Sequence, residues 1–146
     1  MQDWVLLAYR LPREPSTPRI ALWRRLRRLG AAQLGDGLVA LPADDRTREQ
    51  LEWLAGEVEE SGGEATVWLA QPATAAQGRA LADRMRSATA ADYQAVAEAA
   101  GLGGDQRRRN RLRRSLRAIR SRDYFSAQER IGAERAVEAL TEGVRV

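Results

Sequence analysis

The chain has 146 residues, 24 basic and 20 acidic, with a formal net charge of +4 and 44% hydrophobic content, enough for one compact domain or a small domain with a helical extension. It has no Cys and no His, which excludes disulfides, zinc fingers, haem ligation and thiol or imidazole chemistry, and leaves carboxylates as the sole basis for a metal site. No apolar run approaches the roughly 20 residues of a membrane span, and Met1-Gln2-Asp3 does not read as a signal peptide, so a cytoplasmic protein with no membrane contact is expected.

Trp4 to Leu11 is a short apolar run rich in strand formers and predicts a buried strand ending at Pro12. Thr17-Pro18 then signals a helix start, an N-cap followed by proline at the first helical position. Ile20, Trp23, Leu26 and Leu29 recur at helical spacing, with Leu22 beside them, and Gly30 ends the helix. That stripe predicts core packing for Trp23 and a cationic outer face of Arg24, Arg25, Arg27 and Arg28. Ala31 to Leu41 predicts two short strands, or one bulged strand, around Gly35-Asp36-Gly37. Thr47 with Gln50 predicts the cap of a second helix, whose inner stripe is Leu51, Leu54, Ala55 and Val58 and whose end is Gly62-Gly63. Glu64 to Ala70 predicts a last strand.

The order is β-α-β-β-α-β with helices amphipathic on one side. It predicts an α+β fold, a ferredoxin-like unit over residues 1–71 with both helices on one face of an antiparallel sheet. An all-helical C-terminal extension follows over residues 72–146. Ala75 to Met85 and Thr89 to Ala100 read as two helices or as one longer helix, ended by Gly101, Gly103 and Gly104. An arginine-rich helix over 105–122 carries a narrow seam of Leu112, Leu116 and Ile119. Ser126 with Glu129 predicts a capping box for a final helix that carries Ile131, Val137 and Leu140.

Charge is distributed unevenly along this order. Nine arginines and no acid lie between Gln106 and Arg122, whereas residues 43–105 hold five arginines against twelve acids. Without those nine, fifteen arginines face twenty acids, so the positive character is local. A local cationic surface points to a polyanion, most simply a nucleic-acid backbone. The candidate nucleic-acid contacts are Arg107, Arg108, Arg109, Arg111, Arg113, Arg114, Arg117 and Arg120, widened by Arg24, Arg25 and Arg28. Arg109, Arg113, Arg117 and Arg120 follow one flank of the seam, and Arg107, Arg111 and Arg114 the other. The alternative is a solvated helix, or one pairing with the acidic segment of the same chain or of a second copy. Arg10, Arg13 and Arg19 flank the first strand-to-helix loop and, with the helix N-terminus, form a candidate oxyanion cradle. No recognition-helix pattern of base-reading Asn or Gln is evident. There is no GxSxG, P-loop, GxGxxG or HExxH motif, so no catalytic residue, no metal site and no cofactor is assigned, and the chain reads as no enzyme.

The stretches WVLLAYRLPREPSTPRIALWRRLRRLGA, DGLVALPA and RTREQLEWLAGEVEESGGEATVWLA closely resemble the N-terminal domain of the chromate-resistance regulator ChrB over residues 4–70, and RLRRSLRAIRSRDYF, Arg111 to Phe125, resembles the close of that domain. The resemblance implies a transcriptional regulator that binds promoter DNA and responds to chromate; a homodimer is expected beside it, with the ferredoxin-like unit as its surface. It also implies a departure: proteins of that family usually carry a second, C-terminal domain, and this chain stops at Val146. The first strand and helix are more loosely similar to the ferredoxin-like domain of phenylacetate-type repressors and small CRISPR-associated nucleases. In those nucleases an Asp follows the first strand's Tyr. Here Tyr9 is followed by Arg10, a cation that repels Mg²⁺, and Asp36 is a lone carboxylate. Two readings stand beside DNA binding: a non-catalytic protein-interaction or dimerisation module, and a small oxyanion sensor for chromate or sulfate built on Arg10, Arg13 and Arg19.

Overall fold

The computed structural model describes residues 1–144. Nine elements follow one another: β1 (Trp4–Arg10), α1 (Thr17–Leu29), β2 (Ala32–Gly35), β3 (Leu38–Pro42), α2 (Asp45–Glu60), β4 (Glu64–Ala70), α3 (Ala75–Gly101), α4 (Gln106–Ser121) and α5 (Glu129–Val144). The fold is α+β, with a four-stranded antiparallel sheet and five helices among the described residues. The chain divides into two compact units, Met1–Leu81 and Ala82–Val146, and α3 runs across the division.

In the first unit the strand order is β2-β3-β1-β4. The register sets Leu7 opposite Val39 on one side and Val67 on the other, and Val5 opposite Leu41 and Leu69. Side chains alternate across a strand, so Val5, Leu7, Val39 and Leu41 share a face, and all four are buried. Trp4 and Ala40, on the opposite face, are buried as well, while Trp68 on that face is 58% exposed. Helix α2 packs on β1 and β4, and its stripe of Leu51, Leu54, Ala55 and Val58 is buried as its spacing predicts.

Helix α2 starts differently from the expectation. Its N-cap is Asp44, whose carboxylate accepts the Thr47 N–H at 2.7 Å, while the Asp44 N–H donates to Thr47 Oγ1 at 3.0 Å. Thr47 therefore closes the capping box from the third helical position. Its hydroxyl also donates to the Pro42 carbonyl at 2.6 Å, tying the helix start to the end of β3.

Helix α1 is rotated from its expected setting. Its buried residues are Leu22 and Leu26, with Leu29 half-buried, whereas Ile20 and Trp23 are 46% and 54% exposed. Two apolar stripes overlap on this helix, and the core takes the one that leaves Trp23 outside. The Arg27 guanidinium lies 4.9 Å from the Trp23 ring centroid, a cation–π contact that shields part of the indole.

In the second unit, Tyr93, Val96 and Ala100 of α3, Ile119 of α4, and Ala133, Val137 and Leu140 of α5 form one buried cluster, with Leu112 and Leu116 packed against it. Ile131 of α5 is 51% exposed, unlike Val137 and Leu140. Ser126 does not cap α5, because it lies ahead of the helix with φ of 54°. Asp123 closes that turn instead: its carboxylate accepts the Ala127 N–H at 3.0 Å and the Tyr93 hydroxyl at 3.0 Å. The two helices left open between Ala75 and Ala100 are one continuous helix, α3.

Candidate nucleic-acid interface

Nine like charges in one short segment repel each other, so α4 needs support from outside its own sequence. Its start is set by Asp105, whose side chain accepts the Arg108 N–H at 3.0 Å. That bond, helped by the neighbouring Arg107 and Arg111 charges, holds the Asp105 carboxyl below its ordinary range. Gly104 precedes it at φ 147°, where a Cβ would collide with the Arg108 side chain, so the turn into α4 requires glycine. Arg108 in turn donates to the Ala99 carbonyl at 2.9 Å, near the C-terminal end of α3.

One face of α4 is tied to α5 through a single carboxylate. Arg109 is only 8% exposed and donates to one Glu138 oxygen at 2.8 Å, and Arg113 donates to the other at 2.8 Å. These two bonds, Arg113 first and Arg109 second, hold Glu138 below the usual carboxylate range. Arg122, just past the helix, donates to Asp92 of α3 at 3.1 Å. Arg109 and Arg113 were expected on a ligand-facing flank with Arg117 and Arg120. In the structure Glu138 draws both toward α5, and Arg108 is likewise engaged by a backbone carbonyl.

The remaining guanidinium groups of α4 have a different environment. Arg107, Arg111, Arg114, Arg117 and Arg120 are exposed, and none is within ion-pair distance of a carboxylate among the described residues. At about 100° per residue, Arg107, Arg111, Arg114 and Arg117 spread around the side of the helix away from Leu112, Leu116 and Ile119. The arginine run is thus divided by the fold into a structural set and an outward set.

In the first unit, Arg24 and Arg28 are exposed one helical turn apart on α1. Arg25, also expected in that patch, instead donates to Glu57 of α2 at 3.1 Å, and the Trp53 indole N–H reaches the same carboxylate at 2.8 Å.

The same unit brings Arg10, Arg13 and Arg19 together. With Tyr9, Ser16, Trp23, Gln33 and Asp36 they line an open cleft of about 830 Å³. Gly37 shapes its wall: it has φ of 70°, its carbonyl accepts the Tyr9 N–H at 2.8 Å, and a Cβ there would strike the Tyr9 carbonyl. Burial raises the Tyr9 phenol above its ordinary value of 10.0, opposed by the Arg19 charge and reinforced by Asp36. Sequence reasoning found the three arginines of this cleft but missed Tyr9, Ser16, Trp23 and Asp36. It also missed Glu138 as the organiser of α4, because nothing local in the sequence couples residues 25 to 29 positions apart.

Among the described residues, no group of three or more carboxylates is placed to hold a metal ion, and no helix is long and apolar enough to cross a membrane.

Taken together these features define a small α+β unit followed by a helical unit with an arginine-faced surface helix. The family model described as Protein ChrB, N-terminal, matches residues 19–101, more than half of the chain, and the chain belongs to that family of chromate-resistance regulators. The matched stretch ends before α4, so the outward arginines lie outside it. No curated protein and no solved structure gives a match.

Proposed function

We propose that this chain is a non-enzymatic DNA-binding transcriptional regulator of chromate resistance, and that the outward face of α4 holds the phosphate backbone. The carrying observation is the set of four exposed arginines on that face, Arg107, Arg111, Arg114 and Arg117, none within ion-pair distance of a described carboxylate, beside neighbours that are paired. Guanidinium forks bind phosphate oxygens bidentately. Phosphate contacts fix a protein on a duplex without reading its sequence, so the α4 surface supplies affinity, with Arg24 and Arg28 of α1 as further phosphate contacts. Membership of the ChrB N-terminal family supports the regulatory assignment.

The test is fluorescence anisotropy on duplexes of unrelated sequence across a salt series. Four phosphate contacts give a log–log salt slope of about −3.6. A slope near zero, or binding unaffected by charge reversal at Arg111 and Arg114, would remove α4 from the interface.

We also read the first unit as ferredoxin-like. Its element order together with the strand order β2-β3-β1-β4 supports this, and an experimental structure of residues 1–81 would test it. A second functional reading, homodimerisation through this unit, is favoured by the edge strand β4, which exposes Trp68 at 58% and Leu69 at 60%. Exposed apolar edges invite pairing with another strand. Sedimentation at low and high salt separates an apolar dimer, which persists at high salt, from one held by arginines and acids.

A further inference from the structure

The cleft between β1, the start of α1 and the β2–β3 hairpin has no part in the proposed α4 interface, and its lining has a specific chemistry. Three arginines from a short stretch of chain converge on it, and none of them is ion-paired among the described residues. The N-terminus of α1 opens beside them. Its N-cap, Ser16, makes no side-chain capping bond, its first turn holds no acid, and Pro18 supplies no N–H. A helix start left without a capping oxygen presents donors and a partial positive charge to an anion.

Two further features say what kind of anion. The lining charge is three arginines against one carboxylate, Asp36, a net of about +2, which matches a phosphate monoester at neutral pH (about −1.5 to −2). The cleft is also larger than an inorganic oxyanion needs. At about 830 Å³ it falls within the range of small-molecule sites, and its wall includes the exposed Ile20 and Trp23. An indole face beside a cationic pocket is a stacking platform for a base. Asp36 and Gln33 also line the cleft, a carboxylate and an amide of the kind that suits a ribose or a base edge.

We propose that this cleft binds a nucleoside carrying a phosphomonoester. The phosphate sits on Arg10, Arg13, Arg19 and the start of α1, and the base lies against Trp23. The same chemistry is presented by a free mononucleotide and by the 5′-phosphorylated end of a strand. The site is distinct from the duplex-binding face of α4 and does not depend on it.

Calorimetric titration of the full chain tests the site with adenosine monophosphate, adenosine, inorganic phosphate, and a short single strand with and without a 5′-phosphate. Adenosine monophosphate is expected to bind at least tenfold tighter than either adenosine or phosphate alone. Arg13→Ala and Arg19→Ala should each weaken it about tenfold, and Trp23→Ala by a similar factor. Circular dichroism establishes that these exposed-residue variants fold. Preference for the phosphorylated strand over the free nucleotide assigns the source as a strand end, and the reverse assigns a small ligand. The site is overturned if adenosine monophosphate binds no tighter than inorganic phosphate, or if Arg13→Ala and Arg19→Ala leave its affinity unchanged. Charge reversal at Arg111 and Arg114 should leave nucleotide binding intact, so failure of the α4 interface and failure of this cleft give different results.

Discussion

Arg109 and Glu138 meet at 2.8 Å, the first nearly buried and the second largely exposed, and the same carboxylate takes Arg113 through its other oxygen. This shared clamp ties two arginines of α4 to α5. It also makes the clamp and the outward face separable by mutation.

Glu138→Gln should lower the urea midpoint with an unchanged m value, because the buried Arg109 charge loses its counter-ion. The double change Arg109→Met with Glu138→Gln should recover part of the loss, since an apolar side chain in that space has no charge to neutralise. Equal midpoints for Glu138→Gln and the parent would show that the clamp contributes nothing.

The carboxyl of Glu138 is held below its ordinary value by Arg113 and Arg109. A carboxyl with a lowered native-state pKa adds stability that is fully present above the unfolded-state value. That stability is lost as pH falls through the lowered one. The difference in unfolding midpoint between the parent and Glu138→Gln should therefore be constant at neutral pH and shrink in acid. A difference that grows in acid would contradict the clamp.

Tyr93 gives the opposite window. Burial first, then its hydrogen bond to Asp123, pushes the phenol from 10.0 up to about 12. A phenol raised in the native state stabilises the fold below its unfolded value, and this contribution fades as pH climbs from about 10 to about 12. Tyr93→Phe should cost about 1–2 kcal/mol at neutral pH, because the Asp123 carboxylate loses a donor. The penalty should narrow in that alkaline range, as read from chemical unfolding at stepped pH.

On the outward face, Arg111→Ala with Arg114→Ala should weaken binding to every duplex by a similar factor and flatten the salt slope by about 1.8. Arg113→Ala should change the slope by well under the roughly 0.9 of one phosphate contact, since its guanidinium is already committed to Glu138. A change of about 0.9 would mean that the clamp opens on binding.

In the first unit, Asp44→Ala should destabilise by about 1 kcal/mol through loss of the α2 cap. Leu54→Ala, at a position fully buried in the same helix, should cost about 2–5 kcal/mol. Similar losses at the two sites would contradict the packing of α2 on the sheet.

Much of this architecture is written locally. The bounds of β4 and the inner stripe of α2 follow from alternation and from i, i+3, i+4 spacing, which act within a few residues. The existence of α4 and its cationic excess follow equally from composition. What was not legible depends on contacts between distant segments. Helix α1 carries two apolar stripes, and packing against the rest of the unit chose Leu22 and Leu26 over Ile20 and Trp23. In the turn before α5, Asp123 holds both the Ala127 N–H and the Tyr93 hydroxyl, and Tyr93 stands about 30 residues away in sequence.

The candidate interface divides along the same line. The sequence determined that a strong positive charge would be concentrated on one helix, since nine arginines without an acid stay positive in any fold. Only the tertiary structure decided which of them are spent inside the protein. Glu138 and Asp92 are brought beside Arg109, Arg113 and Arg122 by helix packing, and a charge is silenced by what lies within a few ångströms of it, not by what adjoins it in the chain.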